Sequence, residues 1–219
     1  MKIIAHRGAS KKCEENTIGA FLWASRMRAH GIEFDIQITN DNVLIAKHDT
    51  YDKRTGILTY NSNYEKGKHT TLDDVFLTTK GKFETYIFDI KDVRPNSNIV
   101  FEIFLCVLRH KIDLERCIFT SFNEFHLRDI CRIEKIYKIK IPKAYTTANM
   151  DIDMLESKKI NWGINYAVLY KFQINKDFID KLKKMNIKVY SYTCNTIGII
   201  EYCRNIGCYG IITDCPDII

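Results

Sequence analysis

The 219-residue chain lacks the sequence features of an exported or membrane-spanning protein. Its first residues, Met1 to Ala5, include no charged segment followed by a long apolar stretch and a small-residue cleavage site. No apolar run elsewhere is long enough to cross a bilayer. These absences predict a cytoplasmic protein with no secretory signal and no stable membrane insertion.

The eight cysteines also lack the spacings that indicate metal or redox chemistry. None forms a Cys-x-x-Cys pair, and none has the paired spacing of a zinc site. Because no export signal is expected, we interpret them as reduced thiols, most of which pack as small core hydrophobes. They are Cys13, Cys106, Cys117, Cys131, Cys194, Cys203, Cys208 and Cys215.

Internal repeats, low-complexity segments and linkers are absent as well, which favours a single domain over residues 1–219. The net charge of +6 comes mostly from lysines scattered through helical stretches, as expected of solvated helix faces. No basic stretch interleaved with aromatic residues accompanies this charge, so we expect no nucleic-acid binding.

What the chain does contain is a regular alternation of strand-like and helix-like segments. Such alternation indicates a parallel sheet, and eight strands suggest a closed (β/α)8, or TIM-type, barrel; an open doubly wound sheet is the alternative. A short hairpin, with its turn at 40–42, follows the second strand, and little or no insertion is expected. The predicted strands are 2–6, 32–39, 85–91, 116–121, 139–145, part of 160–170, 187–194 and 209–214, and 43–47 returns in the hairpin. The predicted helices are 17–27, 71–76, 97–110, 123–136, 149–157, 175–186 and 196–206.

Three residues around the first predicted helix have local structural roles. Asn16 is a good N-cap, and Gly31 is predicted to end the helix. His30 then falls in the last turn, where a partly charged imidazole suits the helix dipole. We therefore interpret His30 as structural.

The stretch 31–39 carries the clearest functional pattern in the chain. Apolar residues alternate there with Glu33, Asp35, Gln37 and Thr39, which is the period of a strand with one polar face. The surrounding strands are apolar on both faces, so this polar face should point into a barrel or cleft. Two adjacent carboxylates repel each other there, and a divalent cation is the simplest compensation. An ordinary solvated strand face is the alternative.

Further polar residues lie at the ends of neighbouring predicted strands. His6 and Arg7 end the first strand, His48 follows the hairpin, and Asp89 and Lys91 lie on the third long strand. In a barrel of this type, the chemistry is located at the carboxyl ends of the strands. Two histidines beside three acids therefore predict an active site rather than isolated structural hydrogen bonds.

The motifs around these residues resemble those of the glycerophosphodiester phosphodiesterase family. The resemblance spans nearly the whole chain, and its amino-terminal part is the most specific. The matching motifs are His6-Arg7-Gly8-Ala9-Ser10, Glu15-Asn16-Thr17, Ala20-Phe21, Glu33-x-Asp35, Thr39-x-Asp41, His48-Asp49, Arg54-Thr55, Thr71-Leu72-Asp73-Asp74-Val75, Thr120-Ser121-Phe122, Tyr192-Thr193-Cys194-Asn195 and Gly210-Ile211-Ile212-Thr213-Asp214-x-Pro216.

The resemblance implies a TIM-type barrel that hydrolyses a small glycerophosphodiester to glycerol 3-phosphate and an alcohol. One divalent cation is implied, and because its ligands are all oxygen atoms we expect Mg²⁺ or Ca²⁺. We favour His6 as the general base and His48 as the general acid, with water or a substrate hydroxyl as the nucleophile. The implied residues are Glu33, Asp35 and Asp89 for the metal, Arg7 and Lys91 for the phosphate, and His6 and His48 for proton transfer.

Several positions depart from the family pattern. The third metal acid is usually Glu, whereas this chain has Asp89, as sphingomyelinase D-type enzymes do. A sphingomyelinase D or lysophospholipase D-like phosphodiesterase is therefore the enzymatic alternative, and a non-catalytic barrel that binds phosphodiesters is a third hypothesis. The other departures are Glu14 in place of Pro, Tyr192 in place of Trp, Tyr209 in place of Asp, and a short region 50–70.

Two further residues, Tyr192 and Asn195, are predicted at the end of the seventh strand of the barrel. They either line the substrate pocket or pack in the core. The short region 50–70 leaves little cover over that pocket, so we expect a loose choice of alcohol.

Overall fold

The computed structural model of the chain describes residues 1–149 and 151–218. Nine strands among these residues pair into one sheet. They are β1 (Lys2–His6), β2 (Gly31–Ile38), β3 (Leu44–Ala46), β4 (Thr85–Ile90), β5 (Cys117–Ser121), β6 (Lys143–Thr147), β7 (Tyr166–Tyr170), β8 (Lys188–Tyr192) and β9 (Gly210–Thr213). β3 runs antiparallel to β2 as the predicted hairpin, while β1 pairs in parallel with both β2 and β9. The eight parallel strands therefore close into a barrel, which confirms the predicted TIM type.

Seven α-helices within the described part of the chain connect the parallel strands. They are α1 (Ile18–Arg26), α2 (Leu72–Thr79), α3 (Ile99–Arg109), α4 (Glu124–Tyr137), α5 (Ile152–Trp162), α6 (Lys176–Lys184) and α7 (Ile197–Ile206). Five of these helices have a short polar N-cap residue whose side chain accepts a hydrogen bond from a backbone N–H of the first turn. These residues are Thr17, Thr71, Asp151, Asn175 and Thr196. None of the helices described is long and apolar enough to cross a membrane.

The strands are buried on both faces, as the apolar runs of a parallel sheet predict. The outer face packs against the helices, where the rings of Phe34, Phe88 and Phe119 lie 5.2–5.5 Å apart in an edge-to-face series. The inner face fills the barrel with a smaller apolar cluster: Ile4, Ile87, Ile118, Ala144, Val168, Tyr190 and Ile212. Polar side chains of the inner face are left at the carboxyl ends of the strands.

Two predictions about the end of α1 are wrong. The helix ends at Arg26, so His30 lies beyond its last turn. His30 is nevertheless structural, because its Nδ1 accepts a hydrogen bond of 3.2 Å from the backbone N of Ile3. Gly31 starts β2 instead of ending the helix. A Cβ at this position would lie 2.3 Å from the carbonyl oxygen of Thr85, so the close approach of β4 requires glycine.

β6 and α5 begin later than the pattern predicts. The backbone N of Ile141 donates to the Glu134 side chain, and Pro142 has no N–H, so neither residue donates a hydrogen bond to a neighbouring strand. The Pro142 carbonyl oxygen still accepts one from the backbone N of Phe119 in β5. The polar pair Thr146 and Thr147 completes β6 instead, because its backbone pairs with β7. The helix predicted at 149–157 is observed as α5, and position 150 lies outside the described residues.

Candidate active site

The carboxyl ends of β1, β2 and β4 border a cavity of about 160 Å³ in the barrel. Eight of the nine site residues predicted from the sequence line it, and Asn195 does not. The lining residues are His6, Arg7, Glu33, Asp35, His48, Ile87, Asp89, Lys91, Thr120, Phe122, Thr146, Val168, Tyr192 and Ile212.

Cavity size alone does not identify this site. Two larger grooves, of about 640 and 770 Å³, open where the strands begin, and both include Lys188. Among the described residues, neither groove is lined by any of the predicted site residues. The chemistry is therefore located by the side chains and by the strand direction.

Three buried carboxylates form the floor of the cavity. Glu33 and Asp35 both point inward from β2, and the parallel register places Asp89 of β4 directly beside Asp35. One carboxylate oxygen from each lies within 4.8 Å of the others. Burial raises the pKa of Glu33 to about 7, and the neighbouring negative charges of Asp35 and Asp89 act in the same direction. Burial also raises the pKa of Asp89.

Two cationic side chains lie against these acids. Lys91 Nζ is 2.7 Å from Asp89 Oδ2 and 3.4 Å from Asp35 Oδ1, and Arg7 Nε is 3.0 Å from Asp35 Oδ2. Burial alone would lower the pKa of Lys91, but the charges of Asp89 and Asp35 outweigh it and raise the pKa. Arg7 also contacts Glu15 with Nη1, 2.9 Å from both carboxylate oxygens.

The carboxylate trio fits a hard divalent cation. Its donor atoms are all oxygen. When all three acids are ionised, the positive charges of Arg7 and Lys91 leave the trio with one uncompensated negative charge. Asp89 Oδ1 is buried and has no hydrogen-bond partner among the described residues. An unpartnered buried carboxylate oxygen is costly unless a ligand satisfies it.

A tight turn after β1 aims the next residues at the acids. Arg7 and Gly8 both have positive φ, at 54° and 83°. A side chain at Gly8 would place its Cβ 2.7 Å from the Ala20 backbone, so only glycine lets the turn pack on α1. The turn directs the backbone N of Arg7 to Glu33 Oε2, at 3.1 Å.

His6 is oriented by a residue from the opposite end of the chain. Its Nδ1 lies 2.6 Å from Asp214 Oδ1, which leaves Nε2 on the side of Glu33, 4.0 Å from Oε2. Burial alone would lower the pKa of His6, but the hydrogen bond with Asp214 and the charge of Glu33 outweigh it and raise the pKa. Burial would raise the pKa of Asp214, but the bond with His6 dominates and lowers it to about 2.

Asn195 belongs to this support and not to the cavity wall. Its Nδ2 donates to Asp214 Oδ2 at 2.6 Å, and its Oδ1 accepts from the Asp214 backbone N at 2.9 Å. Ser10 Oγ donates to the other carboxylate oxygen at 3.0 Å. Sequence reasoning gave no role to Asp214, although it stands in the matched closing motif.

Asn16 is a second residue whose role the sequence did not reveal. It is not the N-cap of α1, because its φ of 59° is left-handed and Thr17 accepts the capping hydrogen bond instead. The Asn16 side chain is buried against Asp35: Nδ2 donates to Oδ2 at 3.0 Å, and Oδ1 accepts from the Asp35 backbone N at 3.3 Å. The Glu15-Asn16-Thr17 motif was the available signal.

His48 lies in the loop after β3, and Gln37 of β2 holds that loop. Gln37 Nε2 lies 2.6–3.2 Å from the carbonyl oxygens of Lys47, His48 and Asp49. The His48 side chain is 42% exposed, and its Nδ1 lies 3.0 Å from Asp49 Oδ1. His48 is therefore much more open to solvent than His6, at 20%.

The remaining wall is aromatic and neutral. Tyr192 lines the cavity from the end of β8, and Phe122 lies beyond β5 with its ring 5.2 Å from Lys91 Nζ. Thr120 and Thr146 contact each other through their hydroxyl groups, 2.5 Å apart. The cavity thus has a charged side at β1, β2 and β4 and a neutral side at β5 to β8.

Comparison with a family model places this chain among known phosphodiesterases. The model described as "Glycerophosphoryl diester phosphodiesterase family" matches residues 6–86 and 61–218. These two matches together span residues 6–218 and contain every residue of the candidate site.

Similar proteins and structures agree with that match. A glycerophosphodiester phosphodiesterase of Caldanaerobacter subterraneus is 26% identical, covering 98% of this chain and 94% of the relative. One from Bacillus subtilis is 24% identical, covering 98% and 84%. An Oleispira antarctica phosphodiesterase, solved with its product sn-glycerol-3-phosphate, has a TM-score of 0.87 at 18% identity, covering 99% and 94%. The Thermotoga maritima glycerophosphodiester phosphodiesterase has a TM-score of 0.76 at 22% identity, covering 98% and 95%.

The similar structures show that the barrel fold is shared. The family model shows which family the chain belongs to. The match extends over nearly the full length of the chain, from His6 to Ile218. The chain therefore belongs to the glycerophosphoryl diester phosphodiesterase family of hydrolases.

Proposed function

We propose that this chain hydrolyses a small, water-soluble glycerophosphodiester, such as glycerophosphocholine or glycerophosphoethanolamine, to glycerol 3-phosphate and the free alcohol. One observation carries the proposal: a single cavity gathers two histidines, three buried carboxylates and two cationic side chains. The glycerol 3-phosphate product of the similar Oleispira antarctica enzyme supports the choice of substrate end. Residues 1–219 act as one domain, because His6 and Asp214 build the same site.

Glu33, Asp35 and Asp89 are the proposed ligands of one divalent cation, Mg²⁺ or Ca²⁺. When bound, the cation supplies positive charge that offsets the carboxylates and stabilises charge on the phosphoryl oxygens. Arg7 and Lys91 complete a net positive site, which attracts a singly charged phosphodiester and orients it. The side chains of Arg7 and Lys91 both lie against the acids, within 3.4 Å of the carboxylate oxygens of Asp35.

His6 is the proposed general base. Because Asp214 is ionised, the proton of a neutral His6 lies on Nδ1, and Nε2 is free to accept one. The nucleophile is water or a substrate hydroxyl. Nε2 takes the proton of the nucleophile while the oxygen of the nucleophile forms the new bond to phosphorus. The bond from phosphorus to the leaving oxygen breaks with its electron pair, and protonated His48 supplies the proton to that oxygen. Water as the nucleophile gives glycerol 3-phosphate directly, whereas a substrate hydroxyl gives a cyclic phosphate that water must then open to glycerol 3-phosphate.

Two alternatives make different predictions about substrate. Asp89 is one methylene shorter than glutamate, and it is the one feature that favours a phospholipase D-like enzyme acting on lysophosphatidylcholine or sphingomyelin. A non-catalytic barrel would be expected to have lost a histidine or a metal acid. All seven positions are filled in this chain: His6, Arg7, Glu33, His48, Asp35, Asp89 and Lys91.

The deciding experiment compares initial rates on glycerophosphocholine, lysophosphatidylcholine and sphingomyelin in excess Mg²⁺. We expect glycerophosphocholine to be the fastest and to release glycerol 3-phosphate in equal amount to choline. The His6→Ala variant, purified in parallel, measures contaminating activity. A clear preference for either lipid would contradict the proposal in favour of the phospholipase D-like reaction. No turnover of any diester would favour the non-catalytic barrel.

A further inference from the structure

A second group of metal-ligating side chains lies outside the barrel, between α2 and α3. Asp73 stands in the first turn of α2, and Cys106 and His110 stand four residues apart at the end of α3. Residues four apart on a helix share one face, so both side chains point toward Asp73. None of these three residues lines the active-site cavity.

The three ligand atoms already converge. His110 Nε2 lies 2.6 Å from Asp73 Oδ1, and Cys106 Sγ lies 3.8 Å from the same oxygen. All three atoms are within 4.8 Å of one another. Cys106 is fully buried, whereas the Asp73 side chain is 46% exposed. The cluster therefore has a buried sulfur at its base and an open side toward solvent.

We propose that Asp73, Cys106 and His110 bind a divalent cation of the zinc class, with water in the fourth position. Sulfur, imidazole nitrogen and carboxylate oxygen are the donors that Zn²⁺ takes in proteins, in tetrahedral geometry. Bonds of about 2.0–2.3 Å place tetrahedral ligands roughly 3.4 Å apart. The Cys106–Asp73 separation is already close to this value, and the His110–Asp73 pair must open by roughly 0.8 Å.

Charge and proton balance fit such an occupant. A Cys106 thiolate and an Asp73 carboxylate together neutralise one divalent cation. Burial and then the Asp73 charge raise the pKa of Cys106 to about 12, so the thiol of the metal-free protein is protonated and metal binding releases its proton. The bound metal also replaces the hydrogen bond between His110 and Asp73.

Arg109 is the competitor that the metal displaces. Its Nη2 lies 2.8 and 3.1 Å from the two oxygens of Asp73. The Arg109 side chain is 60% exposed, so it can turn into solvent without opening the core. An exposed ion pair of this kind contributes little stability, and a metal with charged ligands outcompetes it.

The test is a Co²⁺ titration of the full-length protein in excess Mg²⁺. We expect one equivalent of Co²⁺ to produce a thiolate-to-cobalt charge-transfer band, which Zn²⁺ then removes. The carboxylate trio of the active site contains no sulfur, so it cannot produce this band. Cys106→Ser should lose the band, whereas Cys131→Ser, which alters a thiol elsewhere, should keep it.

Because Cys106 is buried, two variants at the more exposed ligands guard against misfolding. His110→Ala and Asp73→Asn should bind Co²⁺ at least tenfold more weakly, and Zn²⁺ should raise the melting temperature of the wild type more than theirs. Turnover of His110→Ala in Mg²⁺ should equal that of the wild type. A wild type without the band, or a band that survives in Cys106→Ser, would overturn the proposal.

Discussion

His6 and Asp214 form one short hydrogen bond that would orient His6 for the base role proposed for it. The bond between His6 Nδ1 and Asp214 Oδ1 is 2.6 Å long, and Asn195 and Ser10 hold the carboxylate in place. A carboxylate in this position stabilises the tautomer whose other nitrogen accepts protons, and it stabilises the imidazolium that forms.

We predict that Asp214→Asn lowers kcat by roughly tenfold to a hundredfold and leaves KM nearly unchanged, because the amide removes the charge but keeps the shape. Steady-state kinetics on glycerophosphocholine measures both parameters. Asp217→Asn, at an exposed acid near the carboxyl terminus, is the matched control. A wild-type kcat in Asp214→Asn would show that His6 needs no such support.

Replacement of either proposed acid–base residue has a separate expected outcome. His6→Ala and His48→Ala should each remain folded and lower turnover by roughly a hundredfold or more, the usual scale of general acid–base catalysis. Circular dichroism checks the fold, and His69→Ala is the control because His69 is outside the cavity. Unchanged turnover in either variant, or loss of the folded state in both, would indicate structural roles.

At the scale of an element, β2 shows what could be predicted and what could not. The alternation of apolar and acidic residues in 31–39 predicted a strand whose carboxylates point inward, and β2 has that form. The placement of Asp89 beside Asp35 depends on pairing between segments some fifty residues apart in sequence, which periodicity does not encode. The misassigned cap at Asn16 has the same cause, because a tertiary contact with Asp35 decides its conformation.

The start of α4 contains a histidine that should make stability depend on pH. His126 is 1% exposed, its Nδ1 is 2.8 Å from Ser121 Oγ, and its Nε2 has no partner among the described residues. Burial lowers its pKa to about 4, from an ordinary value near 6.5. Between these pH values the unfolded chain binds a proton that the folded chain excludes, so stability is lost as the pH falls.

We predict that lowering the pH from 7 to 5 reduces the free energy of unfolding by about 2 kcal/mol through His126 alone. Urea denaturation at the two pH values measures the loss, and His126→Asn should show a correspondingly smaller one. We expect His126→Ala to keep its turnover, although removing a buried ring should destabilise the fold. Equal pH dependence in the wild type and His126→Asn would contradict this account.

At the scale of the whole molecule, barrel closure brings the two ends of the chain together at the site. β9 pairs with β1, so the residue that follows Thr213 meets the residue that ends β1. The alternation of strand-like and helix-like segments predicted the barrel, and the family motifs predicted most of the polar residues that line its cavity. The outer cluster of Asp73, Cys106 and His110 escaped prediction because its acid and its other two ligands come from different helices.

The most direct test of the account is the release of glycerol 3-phosphate from glycerophosphocholine with and without divalent metal. We predict that the wild type loses its activity in excess chelator and recovers it when Mg²⁺ or Ca²⁺ is restored, because Glu33, Asp35 and Asp89 are the proposed ligands of the ion. Glu33→Gln should stay inactive after the same addition. Full activity in chelator, with no metal detected by elemental analysis, would contradict the account.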